Sequence, residues 1–181
     1  PLTLAQITGF IGNGVPALVA RVTAAAGLPE EAGATMLSAF RRHYDADPAG
    51  ESRPFPGVRA CLDALLDRGA RLAVCTNKPE LPTFRILDAL ALRGHFEVVI
   101  GGDTLPQRKP DPAPLRLAFH RLGGPGLYVG DSEVDAATAR AAGIPFFLFT
   151  EGYRGTPVAK LPHRAAFADF AQLPDLLGQP A

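Results

Sequence analysis

The sequence predicts an α/β protein built on a parallel sheet, with a small all-helical segment in front of it. Three observations carry this. From Gly57 onward, short apolar runs alternate with amphipathic helical patterns, the order that βαβ units produce. Short apolar runs stand at 72–75, 98–100, 127–129 and 145–149, and the first lacks polar alternation, as a strand covered on both faces does. Residues 1–52 show helical spacing and no strand pattern.

In the first segment, Thr3 is placed to cap a short helix running through Phe10. Gly12, Asn13 and Gly14 read as a turn, since these residue types tolerate positive φ. Ala17, Leu18, Val22 and Ala25 recur at helical spacing, and Gly27 ends that helix. Pro29 lies at the first turn of the next helix, which runs to about Tyr44 with Met36, Leu37 and Phe40 on one face. Residues 45–56 are rich in Pro, Gly and Ser and read as a linker. The expected division is therefore 1–52 and 53–181.

In the second segment, Val58, Leu62, Leu65 and Leu66 mark an amphipathic helix stopped by Gly69. A strand at 72–75 is expected to be buried on both faces. Then follow a helix over 81–91, a strand at 98–100, a helix over 112–122, a strand at 127–129, a helix over 132–142 and a strand at 145–149. A short strand at 165–167 and a helix over 170–177 close the pattern.

Composition narrows the function. The chain has 181 residues, 47% apolar and 20% charged, which suits one globular domain or a core with a small appendage. Formal net charge is +0, so nothing points to nucleic acid or to an acidic surface as partner. No apolar run approaches the roughly 20 residues that span a bilayer, and no basic-then-apolar leader is present. Cys61 and Cys75 suit neither a metal pair nor a disulfide framework. They read as reduced and buried, in a cytoplasmic setting. His43, His95, His120 and His163 are scattered without ligand spacing. The first residue is Pro, not Met, which suggests a missing leader, a cleavage or a truncation.

The chemistry-bearing residues fall after the strands, where parallel sheets bind ligands. The first strand delivers Thr76, Asn77 and Lys78, and the second leads to a loop ending at Arg108, Lys109, Pro110 and Asp111. The third delivers Asp131 and Asp135. Thr76 and nearby N–H groups can hold phosphate oxygens, and Lys109 can neutralise phosphate and steady an anionic nucleophile. Asp131 suits Mg²⁺, which takes one or two carboxylates plus phosphate and water. Asp135, one helical turn on, can orient Lys109 or bind a metal-bound water. Each has a plainer reading. Thr76 and Asn77 could cap the next helix, Lys109 could be a solvated lysine, and Asp131 and Asp135 could be an N-cap and a first-turn acid. Three strand ends agreeing in order and chemistry favour the site. Asp103 reads as a loop residue that fixes its turn.

The segments VCTNKP, GGDTLPQRKPDPAPL and YVGDSEVDAATARAAG resemble the second, third and fourth motifs of the haloacid dehalogenase superfamily phosphatases. The segment FIGNGVPALV resembles the cap of the phosphoglycolate phosphatases in that superfamily. The resemblance implies a Rossmann-like core with a small helical cap, Mg²⁺, and an aspartate nucleophile that becomes an aspartyl-phosphate. A second aspartate would act as acid and base. It also implies that Thr76 and Asn77 bind phosphate, that Lys109 stabilises nucleophile and phosphate, that Asp131 ligates Mg²⁺ and that Asp135 supports them.

The nucleophile motif of the family, at the end of its first strand, has no counterpart here. The sequence is therefore expected to lack that central strand, to leave a break between the strands ending at Thr76 and Asp131, and to be inactive as it stands. The favoured substrate is 2-phosphoglycolate. Another small phosphoester such as a sugar phosphate, or a truncated protein without activity, are the alternatives. Arg21, Arg41 and Arg42 are the cations of the helical segment that could meet a substrate carboxylate, or they could simply be solvated.

Overall fold

The structure, a computed structural model, describes residues 2–11, 14–47 and 49–177. The chain divides into two compact units, Pro1–Gly50 and Glu51–Ala181. No helix among the described residues is long and apolar enough to cross a membrane.

The first unit holds α1 (Leu4–Thr8), α2 (Val15–Ala25) and α3 (Glu31–Ala46). Thr3 caps α1 as expected, in a reciprocal capping box with Gln6, though the helix ends before Phe10. Of the expected turn at 12–14, Gly12 and Asn13 lie outside the described residues. Pro29 sits just ahead of α3 rather than within its first turn. Val19 and Thr23 are the buried residues of α2, and α2 packs along α3. Thr23 Oγ1 donates to the Val19 carbonyl at 2.9 Å, which satisfies its buried hydroxyl inside its own helix. Arg21 donates to the Phe10 carbonyl at 2.9 Å and Arg42 to Ser38 Oγ at 3.0 Å, so both guanidinium groups have local acceptors.

The second unit runs α4 (Val58–Asp67), β1 (Ala73–Cys75), α5 (Glu80–Ala89), β2 (Val98–Ile100), α6 (Ala113–Leu122), β3 (Tyr128–Gly130), α7 (Glu133–Ala142), β4 (Phe146–Phe149), β5 (Ala165–Phe167) and α8 (Leu173–Leu177). The order is the expected one, with boundaries moved by one or two residues. The last expected helix is split into a 3₁₀ turn at Phe170–Gln172 and α8.

Every strand pair is parallel: β1 with β2, β3 with β4, and β4 with β5. The sheet is in two parts, one of order β1-β2 and one of order β3-β4-β5. No ladder joins β1 to β3 among the described residues, so the break expected between those strands is present. This corrects one expectation. The strand at 72–75 is half-buried rather than covered on both faces, and Cys75 with it. The reason is local: β1 has a strand neighbour on one side only. By contrast β4, flanked on both sides, is buried along its whole length.

The core is correspondingly divided. Cys61 and Leu65 of α4 pack with Phe147, Phe149, Phe167 and Leu173 on one face. Ala136 and Ala139 of α7 pack with Phe146, Leu148 and Leu161 on the other. A third cluster joins Leu87, Leu92 and Val99 beside β1. Each Val, Leu or Phe side chain so buried contributes about 1.5–3 kcal/mol.

Candidate active site at the carboxyl ends of the strands

The turn after β3 sets the geometry. Ser132, in extended conformation, is the N-cap of α7 and forms a capping box with Asp135. The plain reading of Asp131 as the cap is thus displaced, since the cap falls on the next residue and leaves Asp131 available. Gly130 is required here: a Cβ on it would lie 2.5 Å from Asp135 Cβ, where Asp135 folds back under the strand end.

Asp135 is the hub. Its side chain is 6% exposed and that of Lys109 is 11% exposed, and Lys109 Nζ lies 2.6 Å from Asp135 Oδ1. Tyr128 Oη donates to the same oxygen at 2.8 Å, accepts from Lys109 Nζ at 2.9 Å, and has the Cys75 carbonyl at 3.3 Å. Oδ2 accepts from the Asp131 and Ser132 N–H groups, both at 3.2 Å, and from Ser132 Oγ at 2.7 Å. Burial pushes the Asp135 carboxyl up, but Lys109, Ser132 and Tyr128 outweigh it and hold its pKa below the usual value. Tyr128 is driven well above the usual phenol range by burial and then by the Asp135 charge.

Lys109 is delivered by the loop after β2. Asn77 brackets its backbone: Asn77 Nδ2 donates to the Lys109 carbonyl and Lys109 N–H donates to Asn77 Oδ1, each at 2.9 Å. The Lys109–Pro110 peptide is cis. Asp111 then accepts from Ala113 N–H at 2.8 Å and starts α6. Asp103 serves a neighbouring element rather than its own turn, accepting the Glu80 N–H at the start of α5 at 2.7 Å. Thr76 continues the β1–β2 ladder through its N–H to the Ile100 carbonyl at 3.0 Å. Its hydroxyl accepts from Lys78 N–H at 3.1 Å, which leaves the hydroxyl proton to donate.

Asp131 is held differently. Tyr153 N–H donates to Oδ2 at 2.6 Å. Gly152 lies against the same carboxylate, so closely that a Cβ there would overlap it. Burial raises the Asp131 pKa, with the Tyr153 N–H working against it and the Asp135 charge adding to it. A half-buried carboxylate under this strain favours a cation. No group of three or more His, Cys, Asp or Glu side chains among the described residues could form a complete metal cage. One carboxylate beside an anion site is nonetheless a donor set that Mg²⁺ accepts, completing its shell with water and phosphate.

Asn77, Lys109, Asp131 and Asp135 are therefore brought together through direct bonds, with Thr76 beside them on the same strand end. Sequence reasoning missed Tyr128, Ser132 and the loop after β4. Tyr128 left one signal, a hydroxyl in an otherwise apolar strand, which must find a partner when buried. Cys75 is a free thiol held at about 11, first by burial, with Lys109 lowering it and Asp135 raising it.

The sequence matches the family described as hydrolase, haloacid dehalogenase-like hydrolase, over residues 1–143. The chain belongs to that family. Among its relatives, a phosphoglycolate phosphatase of Cereibacter sphaeroides is 53% identical over 180 residues, covering 98% of this chain and 83% of that protein. One of Rhodospirillum rubrum is 47% identical over 189 residues, covering 99% of this chain and 78% of that one. A solved structure described as a predicted phosphoglycolate phosphatase of Haemophilus somnus superposes with a TM-score of 0.90 at 31% identity, over 97% of this chain and 82% of that one. This haloacid dehalogenase-like chain thus resembles the phosphoglycolate phosphatases, and its activity class is that of a phosphatase.

Proposed function

We propose that this phosphatase, when it carries the family's nucleophile motif, hydrolyses a small phosphomonoester in the presence of Mg²⁺, and that 2-phosphoglycolate is its preferred substrate. The observation that carries the reading is the Lys109–Asp135 pair, with Asp131 beside it on the strand ends. The substrate preference is supported by the relatives' names. Residues 1–52 are assigned as the helical cap and 53–181 as the core.

In this reading Asp131 holds Mg²⁺, which would neutralise phosphate charge in the transition state. Lys109 supplies the second cation, fixed by Asp135 and Tyr128 on its side chain and by Asn77 on its backbone. Such fixed charge needs no reorganisation as charge develops, the most effective kind of stabilisation. The Thr76 hydroxyl donates to a phosphate oxygen. Asn77, whose carbonyl oxygen and amide already serve Lys109, contributes to phosphate binding chiefly by placing that residue. Asp135 orients Lys109, and its oxygens are too fully engaged to attack phosphorus. The family's aspartate nucleophile and its acid/base partner are not assigned to any residue of this cluster.

The test is kcat/KM for 2-phosphoglycolate against a panel of sugar phosphates, with and without Mg²⁺, on a protein that also carries the family's nucleophile motif. A marked preference for 2-phosphoglycolate is expected, and a marked preference for a sugar phosphate would overturn the substrate assignment.

A further inference from the structure

The loop after β4 touches Asp131 and is held both from within and from outside. Its internal bonds are Thr150 Oγ1 to Glu151 Oε1 at 2.8 Å, at its start, and Arg154 Nη1 to the Thr150 carbonyl at 2.5 Å, which closes the loop around Gly152 and Tyr153. The part that meets Asp131 is Gly152 and Tyr153, and Tyr153 as a residue is 61% exposed, so its ring does not anchor the segment. The anchor that ties the loop to α7 comes from across the turn. Glu133 Oε1 accepts from Gly155 N–H and from Thr156 Oγ1, each at 3.1 Å.

Glu133 stands in the first turn of α7, two residues beyond Asp131, on a helix fixed by the Ser132–Asp135 capping box and by the buried Ala136 and Ala139. One rigid helix start therefore carries both Asp131 and the group that fastens the loop to it. Charge-assisted bonds of this kind are roughly twice as strong as neutral ones.

We infer that Glu133 is a positioning residue: through Gly155 and Thr156 it holds the loop so that Tyr153 N–H fixes Asp131 Oδ2, and so sets the carboxylate's orientation toward a divalent cation. This rests on the reading of Asp131 as the Mg²⁺ ligand. Glu133 itself touches neither cation nor substrate. Its contribution is to spare Asp131 the cost of being ordered when the ion arrives.

The test uses the full-length protein with Glu133→Ala, Glu133→Gln, Thr156→Val and Asp131→Asn. Amide hydrogen exchange at Tyr153 is read without metal, and Mg²⁺ affinity by calorimetry. Glu133→Ala should speed exchange at Tyr153 and weaken Mg²⁺ binding, each by about tenfold, the factor that 1.4 kcal/mol represents. Glu133→Gln keeps the acceptor oxygen without the charge and should stay within about threefold of the parent in both. Thr156→Val, which removes one of the two donors, should fall between, and it carries the test if Glu133→Ala does not fold.

Unchanged exchange or unchanged affinity in Glu133→Ala would overturn the inference. So would a Glu133→Gln protein as impaired as the alanine variant, since the role would then be charge and not position. Mg²⁺ binding that survives Asp131→Asn would instead overturn the underlying assignment of the ligand.

Discussion

Replacing Asp135 with Ala should destabilise this protein more than any other single change at the site. The carboxylate is nearly buried and balances an ammonium that is also largely buried. It also accepts from Tyr128 and Ser132 and from the backbone N–H groups at the start of α7. Removing one partner of a buried ion pair typically costs about 3–5 kcal/mol, because the other charge is left uncompensated. For a chain of this size that corresponds to a fall in Tm of about 6–20 °C.

Asp135→Asn should do little better, because an amide presents a donor on one side and both sides of this group face donors. Lys109→Met should cost less, since the carboxylate keeps Tyr128, Ser132 and two N–H groups. The double variant should recover part of the loss seen in Asp135→Ala, since it leaves no buried ammonium uncompensated. The pH dependence follows from the sign of the shift. The folded pKa of Asp135 is depressed, so its contribution is present above the unfolded value of about 3.9 and is lost as pH falls through the lower folded value. The gap between parent and Asp135→Ala should therefore narrow below about pH 4. Thermal melts by circular dichroism, repeated across pH, measure all of this. An Asp135→Ala protein melting within about 2 °C of the parent at neutral pH would refute the reasoning.

Asp131 should behave in the opposite sense. Its folded pKa is raised, so metal-free stability is highest below the unfolded pKa and is lost as pH rises through the folded one. Asp131→Asn should consequently match or exceed the metal-free parent in Tm at neutral pH while losing any Mg²⁺-induced rise, which a thermal-shift titration would detect. In a form that carries the nucleophile motif, Lys109→Met should lower kcat far more than it raises KM, since the lysine acts on developing charge; steady-state kinetics showing the reverse split would remove it from that role. Gly152→Ala must displace the Asp131 carboxylate or the loop and should cost about 1–3 kcal/mol, read by urea denaturation, as overpacking elsewhere does.

The sequence by itself determined the order of elements, the parallel α/β class and which strand ends carry chemistry. These follow from local patterns: apolar runs, helical spacing, and acids or a lysine placed just past a strand. It also suggested that the strands ending at Thr76 and Asp131 are not neighbours in a ladder. What the tertiary structure decided is how each polar group is used. Ser132, not Asp131, caps α7, because the chain leaves Gly130 with one residue to spare before the helix begins. Asn77 spends its amide on the Lys109 backbone, a pairing 32 residues apart that no local pattern encodes. Tyr128 looked like one more apolar strand residue until folding placed its hydroxyl between Lys109 and Asp135. Burial of β1 was overestimated for the same reason. An apolar run records what a strand is able to cover, whereas its exposure depends on which strands come to lie beside it.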